Sequence, residues 1–112
     1  MRSLIDHQNE YNELLATTFH GFECGEGWSD VIDRALSELR RSAPQVRLRV
    51  AKEKLGTLRL ILDDKLDPNA SAIARRAEEE SARTCEICGE PGRLISTACP
   101  VRTRCATHEA DR

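Results

Sequence analysis

The sequence predicts an α+β fold with two N-terminal helices, a β-hairpin, a third helix and a C-terminal knuckle held by cysteine and histidine side chains. Three observations support this prediction. Apolar residues recur at helical spacing in residues 3–20, 29–41 and 68–84, they alternate in residues 45–63, and cysteine pairs follow position 84. We therefore expect an α+β helix–hairpin–helix domain over residues 1–84, with residues 85–112 packed on it.

Both N-terminal helices are predicted from one-sided apolar faces. In the first, apolar side chains recur from Leu4 to Phe22, and Gly21 is a left-handed stop, so this helix should end near residue 20. The second should begin at Ser29, a good N-cap residue, and it cannot continue through Pro44. Its apolar face consists of Trp28, Val31, Ile32, Ala35, Leu36 and Leu39.

The central segment should form a β-hairpin because its apolar residues alternate with polar ones. Gly56 would supply the positive φ that the loop needs, and the apolar face would lie against the helices. A third helix should follow, with Asp67 as its cap and Pro68 at its first position. The apolar face of the hairpin consists of Val46, Leu48, Val50, Leu58, Leu60 and Leu62.

Composition and charge limit the classes of function. The chain has 112 residues, of which 39% are hydrophobic and 32% charged, with a formal net charge of −2. This balance suits a folded soluble protein and disfavours a polycation that coats nucleic acid. The apolar runs are too short for a membrane span, and the polar N-terminus is unlike a signal peptide. We therefore expect a cytoplasmic protein with no membrane partner.

The most specific motif is a pair of two-residue spacings near the C-terminus. Cys85 and Cys88 form a C-x2-C pair, and Cys105 and His108 repeat that spacing with an imidazole in the last place. Such spacing lets two donor atoms converge on one ion, and zinc is the metal expected for thiolate-rich tetrahedral sites. We therefore predict a zinc-ribbon-like element, with short strands near residues 93–96 and 101–104.

Cys99 offers a fifth possible ligand for four positions. The symmetry of the spacing favours Cys85, Cys88, Cys105 and His108, and an all-cysteine site with Cys99 in place of His108 is the alternative. Either set fills all four positions, whereas catalytic zinc usually keeps one position open. The zinc is therefore expected to be structural.

A short basic segment is the candidate partner surface. Residues 43–66 hold six basic against three acidic residues, whereas residues 1–42 hold four against eight. These basic side chains could grip phosphates or an acidic protein surface, or they could be a solvated sheet face. Single-strand binding is disfavoured because the aromatic residues lie upstream in the expected core. The candidate partner-binding residues are Arg47, Arg49, Lys52, Lys54 and Arg59.

A thiol enzyme is the remote third interpretation. Cys24 follows His20 by four residues, but Gly21 intervenes and no further residue orients the histidine. A buried Cys24 in a tight turn is the simpler expectation, and we expect no enzymatic activity.

The order of three motifs resembles a group of small uncharacterised bacterial and phage-associated proteins. The motifs are Gly27-Trp28 at the start of a helix, the Lys52–Arg59 segment KEKLGTLR, and the Cys85-x-x-Cys88 and Cys105-x-x-His108 pairs. The chain carries Leu55, Leu60 and Ile61 where that group is expected to have aromatic residues. The resemblance implies a bacterial, cytoplasmic setting and no particular activity.

These observations together predict a zinc-stabilised protein that binds another macromolecule without catalysis. The first hypothesis is a protein-binding inhibitor or accessory factor, of the toxin-immunity or phage anti-defence type. The alternative is a nucleic-acid-binding zinc-ribbon protein that uses the basic hairpin together with Arg102 and Arg104.

Overall fold

The computed structural model describes residues 2–110 and confirms the α+β class. Its helices are α1 (Leu4–Glu10), α2 (Ser29–Ser42) and α3 (Pro68–Ser81). One sheet has the strand order β1 (Phe22–Glu23), β2 (Leu48–Lys54) and β3 (Thr57–Leu62). A second sheet pairs β4 (Arg93–Ile95) with β5 (Arg102–Arg104), in agreement with the short strands expected near them.

The first helix is shorter than predicted. Ser3 caps it in a capping box with Asp6, but α1 ends at Glu10 and a short 3-10 turn covers Asn12–Leu14. Leu15, directly after that turn, is extended, and the N–H of Ala16 donates to the carbonyl of Leu48. The prediction of a helix to residue 20 was wrong. The backbone of this segment forms hydrogen bonds with the sheet instead of within a helix, and the segment ends in β1, which pairs with β2 in parallel.

The second helix has the predicted extent, but Ser29 is not its cap. A 3-10 turn over Glu26–Trp28 leads directly into α2, and no side chain caps that end. The Ser29 side chain is fully buried and instead donates to the carbonyl of Arg2. The predicted apolar face of α2 is buried, with Trp28 and Ile32 fully enclosed.

The hairpin has a tighter loop and a different core face from those predicted. Leu55 and Gly56 alone connect the strands, with φ values of +53° and +85°, as in a type I′ turn. A bulge between Leu48 and Val50 shifts the alternation by one residue. Ala51 therefore lies in the core, and Val50 is only half-buried.

Helix α3 packs against β3, an edge strand of the sheet. The buried hydroxyl of Ser81 accepts a hydrogen bond from the N–H of Leu58 at 2.8 Å. Asp67 caps the start of α3 as predicted, accepting from the N–H of Ala70 at 2.9 Å. Ser81, at the end of α3, thus satisfies one backbone N–H of the edge strand β3.

Candidate metal centre

The structure brings together the four residues that the spacing selected. One donor atom from each of Cys85, Cys88, Cys105 and His108 lies within 4.8 Å of every other. The Cys88 and Cys105 sulfurs are 3.7 Å apart, and Nδ1 of His108 lies 3.3 Å from the Cys105 sulfur and 3.7 Å from that of Cys85. The four side chains are close enough to hold a metal ion.

These distances match the edges of a zinc tetrahedron. Zinc bonds at about 2.3 Å to sulfur and about 2.0 Å to nitrogen place two sulfurs about 3.8 Å apart, and sulfur and nitrogen about 3.5 Å apart. All five cysteines are free thiols, and a sulfur–sulfur distance of 3.7 Å is far longer than a disulfide bond. Three sulfurs and one imidazole nitrogen form a donor set that suits zinc.

Backbone N–H groups around the cluster favour the thiolate form of two cysteines. Burial opposes ionisation of Cys85, but hydrogen bonds from the backbone of Cys105, Cys88 and Ile87 outweigh it and lower the pKa of Cys85 to about 6. Burial likewise opposes ionisation of Cys105, and the backbone of His108 helps to lower its pKa. Thiolates are the form in which cysteine binds zinc.

Two tight turns position the ligand pairs. The N–H of Gly89 donates to the carbonyl of Cys85 at 2.9 Å, closing the first turn. The N–H of His108 donates to the carbonyl of Cys105 at 3.1 Å, closing the second. Strand β5 leads directly into Cys105, and Cys85 is fully buried just beyond α3. The sheet β4–β5 therefore holds the second pair against the first.

The first ligand pair docks against the glycine segment that precedes α2. The N–H of Gly27 donates to the carbonyl of Glu86 at 2.7 Å, and the N–H of Gly25 donates to the Glu86 carboxylate at 2.8 Å. A Cβ atom on Gly27 would lie 2.2 Å from the carbonyl oxygen of Cys85. Glycine is thus needed at positions 25 and 27 because the backbone of the first ligand pair lies so close to them. From the sequence, these glycines indicated only a tight connection before α2.

The hairpin loop also contacts residues 84–108, here called the metal-binding segment after its four candidate ligands. The buried hydroxyl of Thr103 donates to the carbonyl of Gly56 at 2.6 Å. A Cβ atom on Gly56 would lie 2.6 Å from the Leu94 side chain and 3.1 Å from the backbone of Arg102. The three motifs noted in the sequence, at Gly27, Gly56 and Cys85, therefore meet around one structural unit. Contacts of this kind were not predictable from the spacing of any single motif.

Only part of the predicted basic surface is free of internal contacts. The Arg47 guanidinium donates to the carbonyl of Pro44 at 2.6 Å, and Arg59 lies 3.6 Å from Glu78 and donates to Thr57. Arg49, Lys52 and Lys54 form no ion pair within residues 2–110. Arg49 and Lys54 are exposed and Lys52 is half-buried. These three are the members of the predicted set whose side chains form no hydrogen bond or ion pair in the described part of the chain.

The other cysteines lie outside the metal cluster. Cys99 is exposed and is not among the grouped donors of the described residues, so the alternative site with Cys99 is not formed. Burial raises the pKa of Cys24 to about 12, and the nearby carboxylates of Glu86, Glu26 and Glu53 act in the same direction. His20 is exposed, whereas Cys24 packs against the core. Cys24 therefore has the surroundings of a structural thiol.

One buried polar cluster escaped the sequence analysis. Nε2 of His7 lies 2.8 Å from the hydroxyl of Ser29, and Nδ1 lies 3.9 Å from the Asp33 carboxylate. Tyr11 donates to the same carboxylate at 2.6 Å. His7 and Ser29 are both fully buried, so no substrate reaches this serine, and the cluster joins α1 to α2.

Comparisons of the chain with protein-family models, with curated proteins and with solved structures found no match. No helix within residues 2–110 has the length and apolar character needed to cross a bilayer. The candidate function therefore rests on the geometry of the metal centre and the surface beside it.

Proposed function

We propose that the chain is a non-catalytic, zinc-stabilised protein that binds a protein partner. One structural zinc ion would be held by Cys85, Cys88, Cys105 and His108. When bound, it would stabilise the folded conformation of the C-terminal segment. The observation that carries the proposal is the match between the donor distances and a four-ligand zinc tetrahedron. All four positions would be filled by protein, which suits a structural rather than a catalytic ion.

The partner surface would be the free basic residues of the hairpin, Arg49, Lys52 and Lys54. Lys and Arg side chains that have no ion-pair partner attract acidic surfaces and steer their approach. An inhibitory or accessory role, such as toxin immunity or phage anti-defence, is proposed by analogy with other small stand-alone proteins of bacteria and phages. A reducing cytoplasm would suit thiolate ligands.

The metal part of the proposal is tested by zinc analysis of the purified chain. We expect about one zinc per chain, with Cys88→Ser losing the metal and Cys99→Ser retaining it as the matched control. Trp28 supplies a second readout because its indole N–H donates to the carbonyl of Thr84, next to Cys85, at 2.8 Å. A folded wild-type chain without bound metal would refute the structural zinc.

The partner surface is tested by charge reversal. Affinity capture from the native host with wild-type chain should recover a defined protein, and the double variant Arg49→Glu/Lys54→Glu should lose it. Arg75→Glu is the matched control because Arg75 is an exposed arginine on α3 that is not part of the predicted basic set. Retained capture by the double variant would refute the surface. Strong binding to duplex DNA that weakens steeply with salt would favour the nucleic-acid alternative instead.

A further inference from the structure

The hairpin loop carries a leucine where the backbone favours other residues. Leu55 has a φ of +53°, and it is the only non-glycine residue with positive φ among those described. Type I′ turns strongly prefer Asn-Gly or Asp-Gly at their two central positions, since a branched aliphatic side chain is strained in this region. The sequence Leu55-Gly56 therefore departs from the residue pair that would fold best.

Leu55 does not recover that strain through packing. Its side chain is 64% exposed, so little of its apolar surface is removed from water. Neither turn formation nor core packing accounts for an exposed leucine at this position. Residues held in unfavourable backbone regions without a folding benefit point to a role in function.

A second exposed leucine lies beside the loop. Leu94, on β4, is 39% exposed, and its side chain packs over Gly56. Thr103, which is paired with Leu94 across β4 and β5, fixes the loop by its hydrogen bond to Gly56. The two leucines thus come from different segments, and the metal-binding segment holds them in place.

The charges next to these leucines are positive. Lys52 and Lys54 precede the loop and form no ion pair within the part of the chain that the structure describes. Glu53, on β2 next to the loop, accepts a hydrogen bond from the N–H of Gly56 at 2.7 Å. The surface formed by Lys52, Lys54, Leu55 and Leu94, here called the tip surface, is apolar with a basic margin.

We propose that the tip surface docks an acidic segment of a protein partner, with an apolar side chain of that segment against Leu55 and Leu94. This inference rests on the proposed function and specifies the partner's chemistry. Charge complementarity selects an acidic ligand, and the two leucines select an apolar side chain within it. A protein segment is favoured over single-stranded nucleic acid because bases stack on aromatic side chains, and the tip surface contains none.

Peptide selection with the zinc-loaded full-length chain tests the inference. A phage-displayed library of random peptides should yield sequences with Asp or Glu around a large apolar residue. Leu55→Asn should weaken a synthesised peptide of this class about tenfold, as expected for loss of a central apolar contact. The same variant should raise the thermal unfolding midpoint, since Asn-Gly suits the turn, so weaker binding could not be attributed to misfolding.

Two further variants sharpen the test. Leu66→Asn is the matched control, because Leu66 is 92% exposed on a different loop, and it should leave binding unchanged. Lys54→Glu should weaken binding, with the effect shrinking at high salt. Equal binding by Leu55→Asn and wild type, selection of peptides without acidic residues, or no selected peptide would each overturn the inference.

The outcomes also separate this inference from the proposed function. If Arg49→Glu/Lys54→Glu loses the native partner while Leu55→Asn retains it, the docking of an apolar side chain at the tip is wrong and the proposed function stands. If the chain folds without zinc, the proposed function fails on its own grounds. Duplex DNA binding that depends on Leu55 would overturn the choice of a protein ligand.

Discussion

Replacing Gly27 by alanine tests whether the metal-binding segment docks on the glycine segment before α2. The added Cβ would lie 2.2 Å from the carbonyl oxygen of Cys85, a separation that must grow to 3.0 Å or more. The knuckle would therefore have to move away from α2. We expect Gly27→Ala to destabilise the zinc-loaded protein, with loss of the contacts that hold the knuckle.

The expected magnitude follows from those contacts. Three hydrogen bonds cross this interface, from the N–H of Gly27, the N–H of Gly25 and the indole of Trp28, at 2.7, 2.8 and 2.8 Å. Each contributes about 1 kcal/mol net. Gly27 lies in a 3-10 turn without positive φ, so the generic effect of Gly→Ala would be a stabilisation of about 0.4–1 kcal/mol. The net cost should be about 2–3 kcal/mol.

Urea unfolding at saturating zinc, followed by Trp28 fluorescence, measures this cost. Trp28 is the only tryptophan and is fully buried, so its emission reports on this interface. If the segment docks on Gly27, Gly27→Ala destabilises the protein. If it does not, the generic effect of Gly→Ala is a stabilisation. Because the two cases differ in sign, no second glycine variant is needed as a control. A Gly27→Ala variant as stable as wild type, or more stable, would refute the docking argument.

Three other predictions follow from the structure. Burial and the hydrogen bond to Asp33 raise the pKa of Tyr11, the only tyrosine, to about 12. The absorbance of Tyr11 should therefore titrate near pH 12 in the folded protein. In denaturant it should titrate near the ordinary tyrosine value of about 10. The stability that Tyr11 contributes should be complete below pH ~10 and be lost as pH rises through its folded pKa, and titration near pH 10 in the folded protein would contradict this. In zinc-loaded protein, a thiol reagent should modify exposed Cys99 quickly and Cys24 slowly, because burial raises the pKa of Cys24; equal rates would refute a buried Cys24. Ser81→Ala should cost about 1–2 kcal/mol in urea unfolding because the buried N–H of Leu58 loses its acceptor, and an unchanged midpoint would show that this edge is not sealed by Ser81.

The grouping of the four candidate ligands could be predicted because spacing alone limits which donors converge. Two residues between Cys85 and Cys88, and between Cys105 and His108, restrict each pair to one turn, and the structure places all four donors together. The loop glycine was also predictable, since Gly56 separates two alternating runs. These are local relations, in which the residues that interact lie close in the chain.

The features that were missed depend on distant partners. Val46, Leu48 and Val50 alternate without interruption, so nothing in the sequence marks the bulge that moves Ala51 into the core. Apolar residues between Leu14 and Phe22 fit a helical stripe, yet this segment pairs with β2, more than 25 residues later. The sequence also could not show which basic residues lack an ion-pair partner, because Arg59 pairs with Glu78 only when α3 packs on β3.

The docking of the metal-binding segment has a consequence for how the chain acquires its fold. The bonds from Gly25 to Glu86, Trp28 to Thr84 and Thr103 to Gly56 span 61, 56 and 47 residues. Closing loops of this length costs conformational entropy, which these contacts must offset. During synthesis, the early glycine segment and the hairpin therefore leave the ribosome before the segment that covers them exists. A chaperone or protease would meet them uncovered until the last ligand emerges.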